Sequence, residues 1–261
     1  MKQRTLTGVV LALLSMVLLG CFHLPWVPQL IAILLGCGAV WEILGANGIR
    51  NKGSYAAGLF LAVIIPMFSL TEKVWWMAAA LVLGLSFFTY LMTRIGKQAP
   101  AWVAAPEIVL ALSLYRGLAC YGEIPHGAFF LCLTGLICAL TDIFAYLVGS
   151  RFGRRKLAPK VSPGKSIEGA LGGLGITVVL IVLVFGRFFD DIGTLVLYTA
   201  VVSILGQFGD LSMSAVKRVA GVKDFGHIFP GHGGILDRCD SLMYPLAFTW
   251  LLYCAQIWIF V

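Results

Sequence analysis

Residues Gly127–Val148, GAFFLCLTGLICALTDIFAYLV, decide what kind of fold this chain can adopt. The segment holds one charged side chain, Asp142, and it is apolar on every face rather than at alternate positions. About 20 apolar residues are needed for an α-helix to cross the hydrocarbon core of a bilayer. A strand of a membrane β-barrel would instead alternate apolar and polar residues. The segment therefore predicts a transmembrane helix.

Apolar runs of this kind recur along the whole chain, which has 261 residues, 60% of them hydrophobic and 12% charged. One soluble core cannot hide that much apolar surface, so lipid is the expected solvent. The predicted fold is all-α, a polytopic helical bundle that forms a single membrane domain over residues 1–261. The nine predicted transmembrane helices are Leu6–Cys21, Pro28–Leu44, Tyr55–Leu70, Val74–Met92, Trp102–Leu118, Gly127–Val148, Gly169–Phe188, Ile192–Leu211 and Leu242–Phe260.

The positive charges fall mainly on one side when successive loops are assigned to alternate sides of the membrane. Of the 19 Lys and Arg residues, only Lys73, Arg116 and Arg187 fall on the other side. Because cytosolic loops carry the excess of Lys and Arg, the N-terminus is predicted to be cytosolic and the C-terminus outside. The net charge of +7 is then a cytosolic feature suited to anionic headgroups or polyphosphates. No nucleic-acid-binding signature accompanies it, so nucleic acid is not an expected partner.

The loop after the eighth run combines dense charge with helical spacing. Residues Ser214–Asp240, SAVKRVAGVKDFGHIFPGHGGILDRCD, hold four cations and three carboxylates beside apolar spans, which is costly unless they bind a charged ligand. If the eighth helix continues, Asp210, Ser214 and Lys217 lie at i, i+4 and i+7 on one face. The glycine-rich turn Pro230–Gly234 would let backbone N–H groups approach phosphate oxygens. This loop is therefore predicted to bind phosphate.

Two aspartates of this region are predicted to hold a divalent cation. Asp237, Asp240 and Tyr244 return to helical spacing at the start of the last span, so two helix ends would meet across the glycine turn. That arrangement would bring Asp210 and Asp237 into one pocket. Mg²⁺ usually takes one or two carboxylates while substrate phosphates complete its shell. The prediction is one or two Mg²⁺ ions at Asp210 and Asp237, and an additional monovalent cation is left open.

A second polar loop, Gly149–Glu168, is predicted to face the same side of the membrane. The residues that share the helical face leading into it are Asp142, Tyr146, Gly149 and Gly153. Small residues on such a face let a neighbouring helix approach closely. The stretch Ser162–Gly169 then offers hydroxyls, Lys165 and a helix N-terminus, a combination suited to anions. The two loops are therefore expected to build one site together.

These charged and glycine positions form a long pattern. It consists of Ser214-x-x-Lys217-Arg218, Lys223-Asp224, Pro230-Gly231-His232-Gly233-Gly234 and Leu236-Asp237-Arg238-x-Asp240. The pattern closely resembles the signature of the phosphatidate cytidylyltransferases, also called CDP-diacylglycerol synthases. The resemblance extends upstream to Asp142-x-x-Ala145-Tyr146, Gly149, Ser162-Pro163-x-Lys165 and Gly209-Asp210. It covers roughly the C-terminal half, whereas the N-terminal half resembles the family only as a set of hydrophobic spans.

The resemblance implies a step of phospholipid biosynthesis, in which CTP and phosphatidate give CDP-diacylglycerol and pyrophosphate with Mg²⁺ required. It implies a catalytic half at about 127–261, on the cytosolic side of a bacterial-type inner membrane, and it is compatible with a homodimer. The residues expected to act in catalysis are Asp210, Asp237, Lys217 and Arg218, with the two aspartates as the metal ligands. Those expected to bind substrate phosphate are Ser162, Lys165, Ser214, Lys223, Gly231, His232, Gly233, Gly234 and Arg238. Those expected to line the pocket or shape the loop are Asp142, Tyr146, Asp224 and Asp240.

Three other functions fit parts of the sequence. A CTP-dependent kinase of a polyprenol or phytol would share the membrane, the metal and the nucleotide, but it would release CDP. A transporter of phosphorylated anions would carry charge near the membrane midplane and an inverted repeat, which the sequence lacks. A non-enzymatic lipid-binding scaffold would not need the paired aspartates. Glu42 and Glu107, which lie in apolar runs, are left open between pairing inside the bundle and catalysis.

Overall fold

The computed structural model describes residues 17–18, 20–22, 24, 26–67, 104–226, 228–229 and 233–255, most of which are α-helical. The helices of these residues, α1 to α8 in chain order, are Trp26–Ala46, Lys52–Met67, Ala104–Cys120, Gly127–Phe152, Ile167–Phe185, Ile192–Ala220, Leu236–Cys239 and Met243–Cys254. Short 3-10 turns, Tyr121–Glu123 and Gly186–Phe188, follow α3 and α5. Two strands, β1 (Lys156–Ala158) and β2 (Ser162–Ser166), lie between α4 and α5.

Four segments of the described chain are long and apolar enough to cross a membrane. They are α1, α4, α6 and Ile167–Phe188, which contains α5. Large apolar side chains stand exposed on these segments, such as Leu171 and Leu183 of α5, which are 66% and 75% accessible. Exposure of such large apolar surfaces to water is unfavourable, so lipid is expected to cover these side chains. The prediction of a helical membrane protein is confirmed.

The nine predicted spans are matched in part. Helices α1, α2, α3, α4, α5, α6 and α8 overlap seven of the predicted runs. The runs Leu6–Cys21 and Val74–Met92 lie largely or wholly outside the described residues. The count of nine and the orientation of the termini therefore stay predictions.

The loop between α4 and α5 adds a small pair of strands to the helical fold. Strands β1 and β2 form an antiparallel hairpin in which Lys156 pairs with Ser166 and Ala158 pairs with Ser162. Val161, at the turn, is buried. A proline and a glycine inside β2 weaken its strand propensity, so cross-strand hydrogen bonds rather than local preference set this structure. The hairpin packs beside α4 and α5.

The end of the chain also departs from the predicted helix. Asp237 lies in the short helix α7, which stops at Cys239, and α8 begins only at Met243. The predicted continuous helix through Asp237, Asp240 and Tyr244 is therefore wrong. Pro245 explains the restart, because proline fits the first turn of a helix, where its missing N–H has no intrahelical partner.

Helices α4 and α5 pack against each other along a stripe of small residues. The buried positions of α5 are Gly169, Gly173, Thr177 and Ile181, which follow one another at intervals of one helical turn. A methyl group on Gly173 would lie 2.7 Å from the carbonyl oxygen of Thr141 and 2.8 Å from the backbone nitrogen of Ala145. On α4, a methyl group on Gly149 would lie 2.8 Å from Ser166 Oγ. The close approach expected from the small residues of α4 is confirmed.

Buried hydroxyl groups join α4, α6 and α8. The hydroxyl of Tyr198 lies 2.7 Å from the hydroxyl of Thr134 and 3.0 Å from that of Thr249. Thr141 donates a second hydrogen bond between α4 and α6, to Ser203 at 2.9 Å. Hydrogen bonds between helices help to stabilise membrane bundles, in which burial of apolar surface offers little driving force. These contacts fix the three helices from which the polar loops emerge.

Replacing Gly173 with Ala is expected to lower the thermal unfolding temperature of the purified protein in detergent. The added methyl group would press on backbone atoms of α4, and such overpacking costs about 1–3 kcal/mol. Gly175→Ala on the same helix is the matched control, because nothing lies within 4 Å of its added methyl group. Equal unfolding temperatures for the two variants would contradict the close α4–α5 contact.

Candidate active site

The candidate site lies toward the C-terminal end of α6. This helix does not stop at the predicted boundary, Leu211, but continues to Ala220, and Gly221 ends it in a left-handed conformation with φ 74°. Asp210 and Ser214 therefore lie one turn apart, and Ser214 Oγ donates to Asp210 Oδ1 at 3.3 Å. The conditional prediction of a continuous helix through this region is confirmed.

A cavity of about 400 Å³ opens beside Asp210, between α4, α5, α6 and the hairpin. Its lining includes Ser162 and Lys165 of β2, Asp142 and Tyr146 of α4, and Gln207 of α6. Lys165 Nζ forms an ion pair with Asp210 Oδ2, in which the two side chains are 28% and 27% exposed. The hairpin thus brings a cation from the first polar loop to a carboxylate that precedes the second. The two polar loops therefore lie side by side, as the sequence predicts.

Asp237 is held in a separate and more buried ion pair. Its Oδ1 accepts from Lys217 Nζ at 2.7 Å, and the two side chains are 5% and 11% exposed. Its Oδ2 accepts from the backbone nitrogens of Phe225 and Gly234, each at 3.0 Å. Partial burial alone would raise the pKa of Asp237, but the bonds from Lys217 and the backbone hold that pKa below its ordinary value. Asp237 therefore holds two points of the signature loop, the segment 221–240 between α6 and α8, against Lys217 of α6.

Asp210 is a residue of α6, whereas Asp237 contacts α6 at a different height, through Lys217. Lys217 follows Asp210 by seven residues, which is about 10 Å along the helix axis. The two carboxylates share no hydrogen-bond partner in the described part of the chain. The charge of Asp210 acts instead on two other carboxyl groups, those of Asp142 and Asp240. Burial and then the charge of Asp210 raise the pKa of Asp240 to about 7, while Lys217 opposes the rise.

Arg218, predicted to act in catalysis, contacts backbone carbonyl groups. Its Nε donates to the carbonyl oxygen of Val161 at 3.2 Å, and its Nη1 donates to that of Val222 at 3.3 Å. Val161 lies at the hairpin turn and Val222 just after α6. Arg218 therefore ties the hairpin to the end of α6.

The other predicted residues surround these pairs. Lys223, Asp224 and Arg238 are exposed on the signature loop, and Tyr146 is exposed at the cavity. Gly233 has a φ of 83°, and its carbonyl oxygen accepts from Phe229 N at 3.0 Å, so the turn needs glycine there. The predicted phosphate-binding residues Gly231 and His232 lie outside the described residues.

Sequence reasoning missed one residue of the site, Gln207, and left the role of another, Glu42, open. Gln207 lines the cavity and donates to the carbonyl oxygen of Ala170 at 3.3 Å. It lies three residues before Asp210, and this spacing was the signal that could have identified it. Glu42 contacts the signature loop from α1, through the backbone nitrogens of Ile235 and Leu236. A carboxylate in an apolar run requires a hydrogen-bonding or charged partner, but the sequence does not identify that partner.

The donor atoms around the cavity suit a magnesium ion that arrives with its substrate. The described residues contain no ready-made cluster of three or more His, Cys, Asp or Glu side chains that could hold a metal ion. Mg²⁺ needs only one or two protein carboxylates when phosphate oxygens complete its shell. Asp210 faces the cavity, and Asp237 of α7 pairs with Lys217, which lies two turns beyond Asp210 on α6. The residues present therefore fit Mg²⁺ held jointly with a polyphosphate.

Comparison with known proteins gives the class. Residues 2–255 match the model of the Cytidylyltransferase family, and the chain belongs to that family. Proteins named phosphatidate cytidylyltransferase in Staphylococcus haemolyticus and Staphylococcus epidermidis are 37% and 36% identical to it. A protein of the same name in Staphylococcus aureus is 36% identical. Each similarity covers 94% of this chain and 96% of the relative.

The stability contributed by Asp237 is expected to depend on pH. Asp237→Asn should lower the stability by about 3–5 kcal/mol at pH 7, because it breaks a buried ion pair and leaves Lys217 unpaired. The native pKa of Asp237 lies below the unfolded value of about 3.9, so the stabilisation is present above that pH and is lost as the pH falls through the native pKa. Thermal unfolding from pH 7 down to pH 3 measures this difference.

Asp210→Asn is the matched comparison for this measurement. The Asp210–Lys165 pair is more exposed, and exposed pairs contribute about 0–1 kcal/mol. A loss of stability in Asp237→Asn that is no larger than in Asp210→Asn at pH 7 would contradict the distinction between the two pairs.

Proposed function

We propose that this protein transfers the cytidylyl group of CTP to phosphatidate and forms CDP-diacylglycerol and pyrophosphate. The observation that carries the proposal is the similarity to phosphatidate cytidylyltransferases, which spans both polar loops because it covers 94% of the chain. The lysine–aspartate pairs Lys165–Asp210 and Lys217–Asp237 support it, since they supply both cationic and anionic groups beside the membrane helices. The reaction needs that combination because both substrates are phosphates and one is anchored in lipid.

The proposed chemistry is an in-line displacement at phosphorus. A phosphatidate oxygen attacks the α-phosphorus of CTP and forms the new P–O bond, while the bond from that phosphorus to the bridging oxygen breaks and pyrophosphate leaves. A phosphate monoester has a second pKa of about 6, so phosphatidate is largely ionised near neutral pH and needs no general base. Protein residues therefore contribute by orienting the two phosphates and by neutralising their charge.

Lysine and hydroxyl groups are proposed to hold the phosphates. Lys165, whose ion pair with Asp210 is partly exposed at the cavity, can turn to a phosphate oxygen there. Lys217 is assigned to the same role as the cation of the more buried pair, two turns further along α6. Ser162 and Ser214 lie beside Asp210 and can donate to phosphate oxygens. The exposed side chains of Lys223 and Arg238, together with Arg218 and the turn Gly231–Gly234, are assigned to the same role.

Mg²⁺ is proposed as the metal ion, with Asp210 and Asp237 as its carboxylate ligands. When bound, a divalent ion neutralises charge on the attacking and leaving oxygens. Asp210 lines the cavity, and movement of Lys165 to a phosphate oxygen would leave its carboxylate open to the ion. Asp142 and Asp240 interact with the charge of Asp210, so a cation bound there would favour their ionised forms. Asp224 is assigned to shaping the exposed loop.

The site is proposed to face the cytosol of a bacterial cell, with nine spans, an inner-membrane location and a cytosolic N-terminus. The contact between Lys165 and Asp210 supports this arrangement, because it requires both polar loops to emerge on the same side. That side receives most of the Lys and Arg residues in the predicted topology. A homodimer is part of the proposal only through resemblance to the family.

Transfer of a labelled phosphate tests the reaction. Purified protein incubated with phosphatidate and CTP labelled at the α-phosphate should move the label into lipid, because the cytidylyl group is transferred. CTP labelled at the γ-phosphate should release the label in pyrophosphate. A γ-label found in lipid would instead identify a lipid kinase, and no transfer of either label would contradict both enzymes.

Asp210→Asn is expected to lower kcat about 100-fold or more, since loss of one preorganised charged group at the reacting phosphates costs about 10²–10³ in rate. Initial rates of CDP-diacylglycerol formation over a Mg²⁺ titration measure the effect, and chelation of Mg²⁺ should stop the wild-type reaction reversibly. The control is Asp190→Asn, an exposed aspartate just before the distant end of α6. Equal rates for Asp210→Asn and the wild type would contradict the assigned role.

A further inference from the structure

A carboxylate from the N-terminal half of the chain binds the signature loop. Glu42 of α1 is 2% exposed. Its Oε1 accepts from the backbone nitrogen of Ile235 at 2.7 Å, and its Oε2 accepts from that of Leu236 at 2.9 Å. Both nitrogens stand at the start of α7, the helix that carries Asp237. Glu42 and Asp237 therefore hold the same backbone turn from opposite ends.

Three consecutive backbone N–H groups are shared between these two carboxylates. Asp237 accepts from Gly234, and Glu42 accepts from Ile235 and Leu236. Hydrogen bonds from N–H groups to an ionised carboxylate are roughly twice as strong as neutral ones. In the described part of the chain, the hydrogen bonds to Glu42 both come from this turn. The turn is thus the partner that an acidic residue in an apolar span requires.

Glycine residues next to Glu42 leave room for its carboxylate. A methyl group on Gly226 would lie 2.8 Å from Glu42 Oε1, and one on Gly234 would lie 2.3 Å from the same atom. One turn earlier on α1, a methyl group on Gly38 would lie 2.3 Å from Ile235 Cδ1. Gly226 and Gly234 of the signature loop therefore pack against α1 around the carboxylate of Glu42.

We propose that Glu42 is a positioning residue for cytidylyl transfer. It does not touch the reacting phosphates; it fixes the start of α7 so that Asp237 faces Lys217. The inference rests on the proposed function, because turnover is one of its readouts. An error of about 1 Å in the placement of a reacting group can cost about 100-fold in rate. Loss of Glu42 should therefore slow turnover while the lipid still binds.

The test is Glu42→Gln in the purified full-length protein, assayed with CTP and phosphatidate each varied. An amide oxygen can accept from the turn, but the amide NH₂ group would oppose the second N–H. The expected result is a kcat lowered by about 10- to 100-fold per folded molecule, with a phosphatidate KM within about threefold of the wild type. A kcat within about twofold of the wild type would overturn the proposal.

Glu107→Gln is the matched control. Glu107 is an equally buried acid of α3, and its carboxylate accepts from Asn47 Nδ2 at 2.9 Å rather than from the signature loop. This variant makes the same carboxyl-to-amide change at an equally buried position in the same half of the chain. It should keep kcat while losing thermal stability. An equal fall of kcat in both variants would mean that any buried acid of this half matters, and the proposal would fail.

Gly226→Ala tests the same contact with Glu42 retained, in case Glu42→Gln does not fold. Its methyl group would press on the carboxylate, so it should lower kcat and leave the phosphatidate KM unchanged. Unchanged kcat in this variant would overturn the proposal.

Trypsin cleavage after Lys223 gives a readout that does not depend on the reaction. Lys223 is exposed on the loop that Glu42 holds. Cleavage there should be severalfold faster in Glu42→Gln or Gly226→Ala than in the wild type and in Glu107→Gln. Equal cleavage rates in all four proteins would overturn the role of Glu42. A wild type that transfers no label would contradict the proposed reaction, and the cleavage rates would still decide whether Glu42 holds the loop.

Discussion

The ion pair between Lys217 and Asp237 is the interaction on which the rest of the site depends. Both side chains are almost fully buried, so neither charge is stable there without the other. The pair joins α6 to α7, and the remaining oxygen of Asp237 binds backbone nitrogens on both sides of the signature loop. One side chain therefore joins α6 to described backbone positions on both sides of the turn that precedes α7.

The second ion pair has a different character. Lys165 and Asp210 are about one quarter exposed and line an open cavity, so their contact can exchange for contact with a ligand at little cost. The hairpin supplies Lys165 to this position, and Arg218 holds the hairpin turn against α6. A rigid pair and an exchangeable pair thus lie two turns apart on one helix. The buried pair can hold the loop in place while the exposed pair exchanges its contact for one with a substrate.

The length of the apolar runs correctly predicted a helical membrane protein, and helical spacing correctly predicted the face of α6 that carries Asp210 and Ser214, because both signals are local in the sequence. The hairpin could not be predicted, since its strands contain residues that disfavour strands and form only by pairing with each other. The separate binding of Asp237 also escaped prediction, because it depends on a break between α7 and α8. Glu42 reaches partners 193 and 194 positions away, a distance over which spacing carries no information.

The length of α6 has a consequence for how a lipid reaches the site. Its 29 residues extend about 43 Å, whereas the hydrocarbon core of a bilayer is about 30 Å thick. Because its last turn carries Lys217 and Arg218, the C-terminal end of α6 is the end expected to leave the hydrocarbon, at the depth where a phospholipid already carries its own charge. A lipid substrate can arrive and depart by lateral diffusion within one leaflet, with its acyl chains never leaving the hydrocarbon, and only the water-soluble reactant and product exchange with the bulk solution.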